Sequence, residues 1–240
     1  MTDADLASLP EPVRRYLAFM RVPGRPRDWS FRLGWTGRFR RKLDQRWLPC
    51  EAWQYNNRLA IARIMHLRIR FVGLVTVVGR DTYVGGKGRM LIKLLDRFVV
   101  GDAAGREFDI GELVTYLNDA LLLAPSMLLV PGVSWSAVDA DSFDVTLTDR
   151  TNTVSGRLYI DKRGTPRDFS TSDRFLEDPE HRGVLMRGHW RTPIAEWTEV
   201  EGRPMPAGGK AIWRLPRGDF EYADFRLIRE SVVFNVAPGE

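Results

Sequence analysis

The chain has 240 residues, 44% of them hydrophobic, and a formal net charge of +5. That length and apolar content suffice to bury a core without a metal or disulfide staple, and the one cysteine, Cys50, excludes an internal disulfide. The first residues lack a basic and apolar leader pattern. No run approaches the ~18 apolar residues of a membrane-spanning helix, so the expected location is the cytoplasm. Residues 1–70 hold 15 Lys+Arg against 6 Asp+Glu, whereas residues 71–240 hold 21 against 25. The basic residues alternate with apolar ones, as in Phe31-Arg32-Leu33. That pattern predicts a solvated strand face and no specific nucleic-acid partner.

A single domain over residues 1–240 is expected, with an N-terminal helix and lead-in over residues 1–24. Pro10 and Pro12 fit a helix's first turn, and Val13, Tyr16, Leu17 and Met20 share one face. Strands fill residues 28–100. Trp29, Phe31, Leu33 and Trp35 alternate with smaller or polar residues, and Trp47–Tyr55 reads as an interior strand. In a long strand over Leu59–Phe71, Arg63 shares a face with Ile61, Met65, Leu67 and Ile69, while His66, Arg68 and Arg70 occupy the other. Leu74–Val84 and Arg89–Val100 follow, joined at Gly85-Gly86-Lys87-Gly88.

A helical insert is predicted over residues 109–130. Asp109 with Glu112 reads as a capping box, and Leu113, Tyr116, Leu117, Ala120 and Leu121 form an apolar stripe. Pro125 ends or kinks the helix. Residues 133–230 return to strands: Ser134–Asp139, Ser142–Thr148, Thr153–Ile160, Arg167–Asp173, Val184–Trp190, Ile194–Val200, Lys210–Leu215 and Tyr222–Ile228. Turns are expected at residues 161–164, 201–204 and 216–219. The expected fold is mainly β, an α+β arrangement of antiparallel strands with strand exceeding helix at least twofold.

Motif chemistry points to no catalytic residue, no metal and no cofactor. Three histidines and one cysteine without H-x-x-x-H or C-x-x-C spacing do not make a zinc site. No G-x-S-x-G elbow occurs, and the glycine run at 85–88 precedes a strand, which does not suit a phosphate loop. Cys50 reads as a buried inert thiol, and Glu177-Asp178-Pro179-Glu180 as a solvated loop. Arg63 stands out. A guanidinium inside an apolar face must pair, snorkel or hold an anion, and Asp119 is a candidate partner. Eight tryptophans supply bulky filler for a sheet curled round a helix, or walls for an apolar cavity.

Several segments together resemble a family of uncharacterised bacterial proteins: Leu9–Leu17, Trp47–Gln54, Gly79–Tyr83 with Gly86–Met90, Glu112–Leu117 and Trp213–Tyr222. The resemblance implies a relative of the LolA/LolB lipoprotein-carrier architecture, a strongly curved antiparallel half-barrel over helices that holds acyl chains. Against the family's usual pattern, Thr115 stands where arginine is expected and Asp119 where glutamate is. Three readings follow. The first is a non-catalytic binding protein for an apolar or amphipathic small molecule, with the Leu121–Val130 segment as a lid. Its expected site residues are Trp29, Phe31, Trp35, Gln54, Arg63, Met65, Leu67, Tyr116 and Asp119. The second is an enzyme whose polar groups converge only in space. The third is an interaction protein that uses the basic N-terminal strands.

Overall fold

A computed structural model describes residues 2–71, 75–177 and 183–238. Strand accounts for more than half of the described residues. Thirteen strands form one antiparallel, curled half-barrel sheet. One meander holds β1 (Ser30–Phe39), β2 (Leu48–Asn57), β3 (Ala62–Arg70), β4 (Thr76–Val84), β5 (Lys87–Leu94) and β6 (Phe98–Ala104). The other holds β7 (Val133–Asp139), β8 (Ser142–Asp149), β9 (Asn152–Ile160), β10 (Pro166–Glu177) and β11 (Leu185–Arg191), then β14 (Gly208–Leu215) and β15 (Gly218–Phe234). They join where β1 pairs with β15, from Phe31↔Phe234 to Phe39↔Ala223. A separate hairpin pairs β12 (Trp197–Val200) with β13 (Arg203–Pro206).

This order places β6 at one edge of the sheet and β7 at the other. The chain must therefore cross the concave face between them. It does so as α3 (Arg106–Leu123), followed by a short 3-10 turn over Pro125–Leu128. Every residue of α3 from Asp109 to Leu123 is buried, because strands lie around the helix on several sides, β10, β5 and β9 foremost. The N-terminal helices are α1 (Asp3–Leu6) and α2 (Glu11–Phe19). Thr2 and Asp5 cap α1 reciprocally. In α2, Val13, Tyr16 and Leu17 are buried, and the Tyr16 hydroxyl donates to the Leu121 carbonyl at 2.7 Å, tying α2 to the end of α3.

Several elements depart from the sequence expectation. Arg89–Val100 is two strands, because Leu95 and Asp96 turn the chain with positive φ. Glu201 and Gly202 form a tight two-residue turn with positive φ. As a result Arg203 and Pro204, expected in the turn, begin β13, and only Trp197–Val200 of Ile194–Val200 is strand. The long strand contracts to Ala62–Arg70, and β15 extends far beyond Tyr222–Ile228 in both directions. Asp109 does not cap α3, which starts at Arg106 behind Gly105. The Leu121–Val130 segment is no lid: Leu121–Leu128 lies in the core. Asp178, Pro179, Glu180 and His181 lie outside the described residues, while Glu177 accepts from the Gly183 amide.

The seat of α3 depends on one glycine. The Gly88 amide donates to Asp109 Oδ1 at 2.7 Å, and Lys87 Nζ reaches Oδ2 at 3.0 Å. A Cβ at Gly88 would run into the Phe108 carbonyl of α3. Gly88→Ala is expected to lower stability by about 1–3 kcal/mol through overpacking. Gly79→Ala, whose new Cβ would meet only the Leu67 carbonyl at 4.0 Å, should change it by less than about 0.5 kcal/mol. Urea unfolding of both variants checks this; equal effects would show that α3 does not rest on Gly88.

Candidate functional site

Side chains alternate across a strand, so register decides what meets on the concave face. Three cross-strand rows build the site. Phe31, Asn56, Arg63 and Tyr83 form one; Leu33, Gln54, Met65 and Asp81 the next; Trp35, Ala52, Leu67 and Gly79 the third. Facing them, Glu112, Thr115 and Asp119 recur at i, i+3 and i+7, one stripe along α3.

Arg63 braces the two layers. Its Nε donates to Asp119 Oδ2 at 2.7 Å and its Nη1 to Glu112 Oε2 at 2.9 Å. The third nitrogen, Nη2, meets Met65 Sδ at 3.0 Å. Gln54 donates to the same Asp119 oxygen at 2.6 Å and to Asn56 at 3.0 Å, and accepts from the Trp35 indole at 3.1 Å. Arg63 is therefore not a free cation awaiting an anionic group. Its side chain is only 4% exposed, and burial is tolerable because two carboxylates neutralise it.

Between this brace and the walls of β10, β11, β14 and β15 lies a cavity of about 160 Å³. Its apolar lining includes Trp35, Met65, Leu67, Leu122, Leu123, Trp190, Ile194 and Phe225. Exposed Lys210, paired with Glu221 at 2.9 Å, also lines it, so the cavity reaches the surface beside β14. Its polar end holds Arg63, Asp81, Asp119 and Arg174. Arg174 Nη1 donates to the Thr115 hydroxyl at 2.8 Å. Its guanidinium carbon lies 4.3 Å from the Trp190 ring centroid.

Six of the nine expected site residues line this cavity: Trp35, Gln54, Arg63, Met65, Leu67 and Asp119. Three do not. Trp29 precedes β1, where its amide donates to Asn235. Phe31 is fully buried in the core. Tyr116 points away, one residue and ~100° round α3 from the Thr115 stripe. Sequence reasoning missed Asp81, Glu112 and Arg174. Cys50 is buried, does not line the cavity, and its thiol is pushed up to about 12 by burial and then by Glu51. Among the described residues no cluster of three His, Cys, Asp or Glu side chains could hold a metal ion, and no helix is long and apolar enough to cross a membrane. On the basic strands, Arg38 pairs with Asp224 and Arg70 with Glu51.

Three carboxyl groups, Asp81, Glu112 and Asp119, stand against two guanidiniums. Burial raises the Glu112 carboxyl to about 7; the Asp81 charge adds to the rise, and Arg63 opposes it. Burial also raises Asp81, against the pull of Arg63 and Arg174. Asp81 retains some accessible surface and lines the cavity.

Compared with known families, the chain belongs to a family of unknown function, DUF6544, whose model matches residues 1–225. No curated protein matches it. Among solved structures it is similar to a DUF1329 family protein from Desulfovibrio piger (10% identity, 94% of this chain and 92% of that one, TM-score 0.46). It is also similar to a LolA superfamily protein from Nitrosomonas europaea (11% identity, 93% of each chain, TM-score 0.40). A third is a β-barrel-like protein of DUF1849 from Brucella abortus (9% identity, 87% of this chain and 98% of that one, TM-score 0.30).

Two stability predictions follow from the brace. Arg63→Met leaves two buried carboxylates without their cation and should cost about 3–5 kcal/mol at pH 8. The loss should shrink at pH 5, where Glu112 is protonated in the folded state. Glu112 itself has a folded pKa above its ordinary 4.5. Its contribution to stability is therefore complete below about 4.5 and is lost as pH rises through about 7. Glu112→Gln should flatten that fall. Denaturant titrations of the three proteins at pH 5 and 8 read both effects; a loss for Arg63→Met that is small and independent of pH would remove the brace.

Proposed function

We propose that this DUF6544 member is a non-catalytic binding protein that takes an apolar or amphipathic small molecule into the concave face of the half-barrel. The observation that supports the reading is the cavity itself: a largely apolar chamber between α3 and the sheet, open at one side, with Arg63, Asp81, Asp119 and Arg174 at its inner end and Lys210 at its mouth. A solid core would close such a space, since protein interiors pack to crystal-like density. At about 160 Å³ it resembles in size the roughly 150 Å³ apolar cavities that admit one benzene-sized guest. It suits one ring or one alkyl segment, with the remainder of a longer ligand at the mouth beside Lys210. Trp35, Leu67, Leu122 and Ile194 would contact the apolar part, and Gln54, Asp81, Asp119 and Arg174 the polar part.

A second reading rests on the coupled carboxyls. Burial raises both Asp81 and Glu112, and Glu112, at about 7, suits proton transfer near neutral pH. It differs in outcome: an enzyme alters what it takes up, whereas a binding protein returns it unchanged. Mass spectrometry of recovered ligand separates the two.

The binding reading predicts a chain-length dependence. In a series of n-alcohols that displace a fluorescent apolar probe, affinity should rise about fourfold per methylene, the equivalent of ~0.8 kcal/mol, until the cavity is full. Ala211→Phe, which adds a ring to the lining, should weaken displacement by tenfold or more while leaving the melting temperature nearly unchanged. Displacement that is indifferent to chain length, or to Ala211→Phe, would count against an apolar site here.

A further inference from the structure

The charged end of the cavity holds three carboxyls against two guanidiniums, and that excess of acidic groups selects a ligand. We infer that the cavity takes an amphiphile whose polar end is a protonated amine, seated on Asp81, rather than a carboxylate or phosphate. This deepens the binding reading above and rests on it.

The groups that face this end come from every surrounding element. Strand β3 brings Arg63, α3 brings Glu112 and Asp119, β4 brings Asp81 and β10 brings Arg174. Strand β5 sets Met90 opposite Asp81. At the mouth, Lys210 and Glu221 neutralise each other. Each nitrogen of Arg63 is already engaged, by Asp119, Glu112 or Met65. Arg174 has one nitrogen on Thr115 and its face on Trp190. Gln54, Asn118 and Thr192 bond among themselves, to Asp119 or to neighbouring side chains. Asp81 differs from all of them. Among the described residues neither of its oxygens has a hydrogen-bond or ion-pair partner, although it lines the cavity.

A desolvated carboxylate with no donor is costly. An ammonium group supplies three donors and the missing positive charge together. The apolar walls exclude water from the pair, which strengthens it. An anionic head would meet the opposite field. To reach Arg174 it would enter beside Asp81 and Asp119, where carboxyls already outnumber guanidiniums three to two, and a further carboxyl would have to take up a proton. Entry of a cation reverses this: it favours the ionised forms of Asp81 and Glu112 and releases the proton they hold. Amine binding should therefore tighten as pH rises from 6 to 8. An alkylammonium stays protonated throughout that range, by analogy with lysine at ~10.4.

The test compares three ten-carbon probes, decylamine, decanol and decanoate, as competitors of a fluorescent apolar dye on the full chain at pH 7.5, below the micelle concentrations of the two ionic probes and the solubility limit of decanol. The expected order is decylamine, then decanol, then decanoate, with at least tenfold between the first and last. Asp81→Asn, which keeps the shape and removes the charge, should weaken decylamine at least tenfold and leave decanol within about threefold. In the wild-type protein, decylamine should bind several-fold tighter at pH 8 than at pH 6, with decanol unchanged. That last measurement needs no variant to fold. Equal affinities for the three probes, or a preference for decanoate, would overturn the amine assignment and leave the apolar cavity standing. Failure of all three to displace the dye would overturn the cavity reading and this inference with it.

Discussion

A single guanidinium holds the two layers of this protein in place. Arg63 comes from β3, an interior strand of the sheet, and its partners, Asp119 and Glu112, lie two helical turns apart on α3. The ion pairs need not add net stability, because desolvating three charged groups costs as much as such pairs return. Their effect is on alternatives. If β3 slipped by one residue against its neighbours, Arg63 would move to the convex face. Ala62 or Ile64 would then stand in its place against the two carboxylates, with no cation at that position. The brace thus fixes the register of the first meander and the position of the helix above it at once.

The helix has little freedom to be elsewhere. The sheet order sends the chain from one edge of a thirteen-stranded half-barrel to the other, and a segment that makes this crossing is buried on all sides. An apolar helix in that position would settle onto the sheet at close-packed distance. Here a polar stripe faces the sheet, and an extended arginine spans the gap. On the facing strands, Ala211 and Ala223 project little into the space between. The cavity is what remains when a charged brace, rather than apolar side chains, sets the separation of helix and sheet.

Much of this was legible in the alternation of the strands. Period two placed Arg63, Met65 and Leu67 on one face and identified Arg63 as the charge in need of a partner. The same rule applies to Val77, Gly79, Asp81 and Tyr83, where Asp81 is the polar intruder on a core-facing row, so the signal for Asp81 was present. Glu112 was hidden by a competing local pattern. Asp109-x-x-Glu112 fits a capping box, but the helix begins at Arg106, and both side chains are free to make tertiary bonds instead. Arg174 lay one residue past the expected end of its strand, because β10 continues to Glu177. Which carboxylate Arg63 meets was open at the sequence level: Asp119 was foreseen and Glu112 was not. Partners separated by about fifty residues in the chain depend on how the helix is rotated over the sheet, and periodicity does not carry that angle.

The brace and the cavity also explain why the acidic excess persists. A protein selected for stability alone would balance its buried charges, and Asp81→Asn would be the simplest way to do so. Instead, Asp81 stands opposite Met65 on the concave face, close enough to Glu112 to raise its pKa and within the field of both guanidiniums. Retaining it costs the free protein the desolvation of an unpartnered carboxyl, or a bound proton in its place. Such a group is tolerated where the energy is recovered when something binds, and local departures from the rules of a well-satisfied core are where function is first sought. The other charges of the cluster are occupied with holding the fold. Among the described residues Asp81 is the charge of the cluster that lines the cavity without a hydrogen-bond or ion-pair partner, and on the binding reading proposed above its chemistry would decide which ligand fits.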